Sequence, residues 1–222
     1  MMTELNVWHN VDGYFMDKLL PENSYLNAAL QANKAAGIPE IDVSPTQGKL
    51  LYLLAKMKRA VNILEIGTLG GYSSICLAQA LSKEGKVVTL EINEEYASVA
   101  RQNIRNAGFE EKIEVIVGNA LDTLPYLKRN GQLFDFIFID ADKPNNPEYL
   151  KWALKLANSG AIIMADNVVR NGAVTDVDSV DERVKGVQQF LDLLKEEPRI
   201  EATAIQTVGV KGYDGFVLAI VN

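Results

Sequence analysis

Two short groups of residues could do chemistry in this chain: Asp140-Ala-Asp-Lys143 and Asp166-Asn167. Each follows an apolar run, Phe134-Asp-Phe-Ile-Phe-Ile139 for the first and Gly160-Ala-Ile-Ile-Met-Ala165 for the second. Two such runs lying side by side in a parallel sheet open their carboxyl ends on one crevice. Asp140, Asp166 and Asn167 would then offer oxygen ligands, with the amine of Lys143 close by. Oxygen donors suit Mg²⁺, Mn²⁺ or Ca²⁺ better than zinc, which favours His or Cys. A cation there lowers the pKa of a coordinated hydroxyl, and a lysine buried beside it becomes a usable base. Each residue alone has a plain structural explanation: strand ends often carry Asp, Asp-Asn is a common turn pair, and lysines are usually solvated. As a set at two neighbouring strand ends, they point to function.

A second group lies upstream. Leu64-Glu-Ile-Gly-Thr-Leu-Gly-Gly-Tyr72 follows an apolar run and opens a helix-like segment. Its Gly-x-x-Gly-Gly spacing differs from the Gly-x-Gly-x-x-Gly that cradles a dinucleotide pyrophosphate. Glu65 just before the first glycine suits a cation better than a phosphate. Glu91, at the end of the next apolar run, can accept hydrogen bonds from ribose hydroxyls. An adenosyl ligand with a sulfonium and an amino-acid tail meets both demands, which favours S-adenosylmethionine. An ordinary strand-end carboxylate at 65 and a helix-capping one at 91 are the plain alternatives.

The elements that must position these residues alternate from residue 61 onward. Strands are predicted at 61–66, 86–91, 113–117, 134–139 and 160–165, with helices at 72–81, 94–107, 123–129, 147–156 and 183–196. Asn93 and Gly108 supply a start and a stop for the second of these helices. Such alternation means a mostly parallel sheet covered by helices on both faces, an α/β fold. Runs 200–207 and 215–221 close the chain as an antiparallel hairpin around residues 209–214. Residues 14–20, 24–36 and 47–57 read as helices separated by Pro21, Gly37-Ile38-Pro39 and Ser44-Pro45. They form a helical cap (residues 1–60) on the α/β core (61–222), and the whole is expected to be one domain.

The 222 residues, 48% hydrophobic and 23% charged, suffice for a sizeable core. A net charge of −7 argues against a nucleic-acid footprint. No apolar stretch is long enough to span a bilayer. One cysteine, Cys76, and an N-terminus without signal-peptide features lead to an expected cytoplasmic location. His9, the only histidine, is expected at the surface, and Cys76 is expected to be a buried thiol. Trp8 and Tyr14 suit either an aromatic pocket or packing of the cap, and Tyr213-Asp214 is placed in the hairpin turn.

Residues 40–222 resemble the cation-dependent O-methyltransferases, the family of caffeoyl-CoA and catechol O-methyltransferases and their small bacterial relatives. The resemblance is carried by Ser44-Pro-Thr-Gln-Gly48, Leu64-Glu-Ile-Gly67 with Gly71-Tyr-Ser73, Asp135 to Lys143, Asp166-Asn167-Val168 and Gly212-Tyr-Asp-Gly215. It implies a Rossmann-like, seven-stranded methyltransferase sheet and a homodimer. It implies that Asp140, Asp166 and Asn167 hold the divalent cation and that Lys143 is the base. Glu65, Gly67, Thr68 and Ser73 would line the methionine end of S-adenosylmethionine, Glu91 the ribose and Ala120 the adenine. Val43 would touch the cofactor through its backbone, Asp142 would lie close to it, and Asn171 would contact substrate. The implied substrate is a catechol-like phenol with vicinal hydroxyls; hydroxyuridine in tRNA is the alternative.

Overall fold

The computed structural model describes residues 3–222. Seven strands form one sheet: β1 Asn62–Ile66, β2 Lys86–Glu91, β3 Ile113–Val117, β4 Phe134–Ile139, β5 Ala157–Asp166, β6 Ile200–Gly209 and β7 Gly212–Val221. Their order is β3-β2-β1-β4-β5-β7-β6, parallel except for β7, which runs against both neighbours. The expected α/β architecture and antiparallel C-terminal hairpin are therefore present. The strand order reverses between β1 and β4, the place where open α/β sheets leave a crevice at their carboxyl ends.

Helices cover both faces: α1 Glu4–Leu19, α2 Ser24–Ala35, α3 Pro45–Lys58, α4 Tyr72–Ala78, α5 Glu94–Asn106, α6 Ala120–Arg129, α7 Asn146–Leu156 and α8 Glu182–Glu196. Alternate strand residues feed two apolar layers. Leu64, Ile66, Ile137, Ile139 and Ile163 pack with Leu124, Leu150, Val187 and Phe190 of α6, α7 and α8. Ile63, Phe136, Phe138 and Met164 pack on the other face with Leu51, Ile75, Ala100 and Ile104 of α3, α4 and α5.

Several boundaries differ from the sequence expectations. Helix α1 begins at Glu4, ten residues before the predicted start, where Thr3 caps it by accepting from the Asn6 amide. None of its side chains is fully buried, so it lacks the strong one-sided apolar stripe that announces a helix. Helix α4 stops at Ala78, and α6 starts at Ala120, three residues earlier than predicted and capped by Asn119. The hairpin is tighter than expected: Gly209 and Gly212 pair, leaving Val210-Lys211 as the turn. Tyr213 and Asp214 are consequently strand residues, opposite Val208 and Thr207, not turn residues.

Candidate active site

Strand parity builds the site. Register pairs Glu65 with Thr89 and Phe138, and Phe138 with Met164. Partners in a parallel sheet point to the same face, so Glu65, Glu91, Asp140 and Asp166 all belong to the face covered by α3, α4 and α5. They fall at the carboxyl ends of β1, β2, β4 and β5. The strand ends approach closely at Gly67, whose φ is +101°, and a Cβ there would stand 2.1 Å from the Asp140 carbonyl oxygen. Only glycine fits.

Glu65 is fully buried. One oxygen, Oε2, accepts from the hydroxyls of Ser74 and Thr89, the latter at 2.6 Å. The other, Oε1, is buried without a donor. Burial pushes its pKa up to about 7, against the pull of the surrounding hydroxyls. A buried acid with one unmet oxygen calls for a cationic or N–H-bearing ligand. Thr68 is buried, and its hydroxyl lies 2.6 Å from that of Thr89, so its side chain serves this chain of hydroxyls, while its carbonyl accepts from the Gly71 amide at 2.9 Å. Ser73, in the first turn of α4, is half-buried beside it.

Glu91 ties two turns together: Oε2 accepts from the Leu69 amide at 2.8 Å and Oε1 from the Asn93 amide at 2.9 Å. Asn93 does cap α5. Glu91 therefore serves the fold through one lone pair of each oxygen and still has acceptor capacity toward the crevice. Val43 is buried just ahead of α3, and Ala120 opens α6 after β3. Asp142 lies past β4 and accepts from Tyr149 at 2.5 Å and Asn145 at 2.6 Å.

Lys143 is 6% exposed and donates to Asp140 Oδ1 at 3.0 Å, so the predicted base and first carboxylate are in contact. Asp166 is buried; Oδ1 accepts from the Asn167 amide at 2.8 Å and Oδ2 from Gln47 Nε2 at 2.6 Å. Burial first, then the charge of Asp140, raises its pKa to about 7. Asn167 sits at φ +57°, a left-handed conformation that Asn tolerates. Asp166, Asn167 and Asn171 line one cavity of about 320 Å³ with Gln47, Leu50, Phe216 and the β6–β7 turn. Among the described residues no three His, Cys, Asp or Glu side chains form a metal cluster; the donors here are two carboxylates and an amide. A buried carboxylate and a partly buried one that repel each other, next to an amide oxygen, fit a hard cation.

The sequence reading missed Gln47. Ser44-Pro-Thr-Gln47 has the spacing of a helix capping box, and Ser44 Oγ does accept from the Gln47 amide at 3.2 Å. The Gln47 side chain, however, reaches across to Asp166 instead of back to residue 44. His9 is exposed and Cys76 is buried, both as expected, and burial pushes the Cys76 pKa up to about 12.

The sequence model of the O-methyltransferase family matches residues 18–220. The chain is 49% identical to a catechol O-methyltransferase of Mycobacterium tuberculosis over 96% of each protein. It is 47% identical to a catechol O-methyltransferase of Niastella koreensis, over 97% of this chain and 98% of that one. An O-methyltransferase from Bacillus cereus, solved in complex with SAH, superposes with a TM-score of 0.97 at 54% identity, covering 98% of this chain and all of that one. The chain belongs to the O-methyltransferase family and is an S-adenosylmethionine-dependent O-methyltransferase.

Proposed function

We propose that the enzyme depends on a divalent cation, Mg²⁺ above all, and methylates one hydroxyl of a catechol-like phenol. The observation that carries this reading is the meeting of Asp140, Lys143, Asp166 and Asn167 at two adjacent strand ends, beside a cavity of about 320 Å³. Its size is at the lower end for small-molecule sites and suits a single substituted ring. Two relatives named catechol O-methyltransferase support the ring class.

Asp140, Asp166 and Asn167 would hold the cation. When bound, it would hold both vicinal hydroxyls and lower the pKa of one. Lys143, released from Asp140 and with its ammonium proton first given up to solvent, takes the proton of that hydroxyl as the neutral amine. The sulfonium of S-adenosylmethionine would supply the methyl to that oxygen, the electrons of the broken C–S bond staying on sulfur, and Lys143 gives its proton to solvent. Glu65 Oε1, Gly67, Ser73 and the backbones of Val43 and Thr68 would receive the methionine end, with Glu91 on the ribose and Ala120 and Asp142 on the adenosine side. Asn171 would bound the ring. Positioning and charge stabilisation supply most of the acceleration.

Two further parts of the proposal concern setting. Helix α1 exposes Leu5, Val11, Phe15 and Leu19, and the neighbouring edge strand β6 exposes Ile205 and Val208. Apolar surface of that kind marks an interaction face, here for a second copy. No helix of the described residues is long and apolar enough to cross a membrane; we place the enzyme in the cytoplasm, where a lone buried thiol stays reduced.

The test is a methyl-transfer assay with catechol as acceptor. Transfer that is abolished by chelator and by Asp140→Ala is expected. Full activity in excess chelator overturns the cation, and turnover of hydroxyuridine tRNA without any diphenol activity overturns the ring class.

A further inference from the structure

The cavity beside Asp166 and Asn167 ends at the β6–β7 turn, and this wall carries charge of one kind in usable form. Three acids and one cation line the cavity: Asp12, Asp166, Asp214 and Lys211. Asp166 belongs to the proposed cation site. Asp214 Oδ1 accepts from the backbone amides of Val169, Arg170 and Gly215 at 2.9, 3.0 and 3.0 Å, and the Arg170 guanidinium stands 4.0 Å from Oδ2. Asp12 Oδ2 accepts from the Val210 amide at 2.8 Å. A Cβ at Gly209 would come within 2.3 Å of that same oxygen, so α1 and the turn are packed together and the turn is held in place. Both acids of this wall are thus committed to backbone donors.

Lys211 is different. It is the second residue of the two-residue turn, and its side chain is exposed. Its Nζ donates to the Glu40 carbonyl at 2.9 Å, a neutral acceptor. The acid whose charge it feels, Asp42, is already held by the Asn33 amide at 2.9 Å, and burial raises its pKa. A flexible ammonium parked on a backbone carbonyl at the rim of a substrate cavity gains by exchanging it for a carboxylate, since ionic hydrogen bonds are about twice as strong as neutral ones.

We propose that Lys211 is a specificity-determining residue that receives the carboxylate of the substrate, so that the preferred acceptors are catechols with a short acidic tail. The inference rests on the catechol reading above. The ring lies at the Asp166 end of the cavity and its tail points to the β6–β7 turn. Because Lys211 is exposed, the gain is modest and falls as salt rises.

The experiment measures kcat/KM with three probes, protocatechuate, catechol and dopamine, for the wild type, Lys211→Met and Lys211→Arg. The wild type is expected to prefer protocatechuate to catechol by roughly two- to fivefold, mostly through KM. Lys211→Met should lose that ratio, Lys211→Arg should keep it, and added salt should shrink it in the wild type. A wild type that turns over catechol without favouring protocatechuate, that favours dopamine, or whose preference survives in Lys211→Met overturns the inference and leaves the catechol reading standing. Failure to turn over any of the three probes overturns both.

Discussion

Replacing Gln47 by Leu tests whether the buried carboxylate at the end of β5 is held for a cation. Leu keeps much of the volume and removes the only part of Gln47 that matters to Asp166, the Nε2 donor at 2.6 Å. A hydrogen bond to a charged, buried group contributes about 1.5–3 kcal/mol, and each 1.4 kcal/mol is tenfold in an equilibrium constant. Loss of a partner that orients a metal ligand typically costs about 10- to 100-fold in metal affinity, which is the same range. The Asn167 amide still holds Oδ1, so Asp166 stays in place but is free to rotate about that contact. Calorimetric titration of Mg²⁺ or Mn²⁺ into cofactor-loaded protein should therefore show a 10- to 100-fold weaker cation, while the cofactor titration, whose proposed contacts do not include Gln47, moves little. Unchanged cation affinity in Gln47→Leu would refute the idea that this contact positions a ligand. Equal losses for cation and cofactor would show that the substitution disturbs α3 instead.

Other outcomes follow from the same contacts. Lys143→Met should lower kcat by roughly 10²- to 10⁴-fold, the usual value of a positioned base; cation affinity should not fall, because the ammonium that competes for Asp140 is gone, and a parallel fall in both would argue against the base role. Glu65 has a folded pKa of about 7 against an ordinary 4.5, so the folded state binds the extra proton and the cofactor-free protein should lose about 3 kcal/mol of stability as pH rises from 4.5 to 7. Asp166 adds a slope of the same sign, so urea denaturation of Glu65→Gln at several pH values should show a shallower decline, and a curve parallel to the wild type would sink this assignment. Gly67→Ala should cost roughly 3 kcal/mol or more, because the Asp140–Ala141 backbone must yield and the φ of +101° strains a side chain; wild-type stability by chemical denaturation would contradict the close approach of β1 and β4.

The central sheet is legible because its strands are buried on both faces and read as apolar runs, bounded by the glycines and capping residues that end them. Helix α1 and the hairpin turn resist such reading for opposite reasons. Helix α1 buries no side chain completely, so packing leaves no periodic trace in its sequence. The hairpin carries apolar residues on an exposed edge strand, so alternation says little about where pairing stops, and only the geometry of Gly209 and Gly212 fixes the turn at Val210-Lys211. That two- to three-residue difference moves Tyr213 and Asp214 into a strand and leaves Lys211, already within the predicted turn, as one of its two residues beside the cavity.

The site shows a further limit. Glu65, Glu91, Asp140 and Asp166 could be picked out as strand-end acids, and once the registers are known, parity alone puts all four on one face. What no local pattern contains is the partner of each acid. Gln47 looks like the second half of a capping box because Ser44 satisfies the first half, and its amide lies 119 residues from the carboxylate it holds. The helix does not need that amide: Ser44 already satisfies one of the orphan donors in the first turn, while buried Asp166 beside Asp140 has a strong demand for donors. The side chain goes where the unmet charge is larger. The same reasoning applies to Glu65, where the hydroxyls of Ser74 and Thr89, the latter backed by Thr68, are collected on one oxygen and the other oxygen is left for what binds. A buried acid whose protein partners are incomplete therefore points to a ligand, whereas Asp214, with three backbone amides on one oxygen and a guanidinium facing the other, points to architecture.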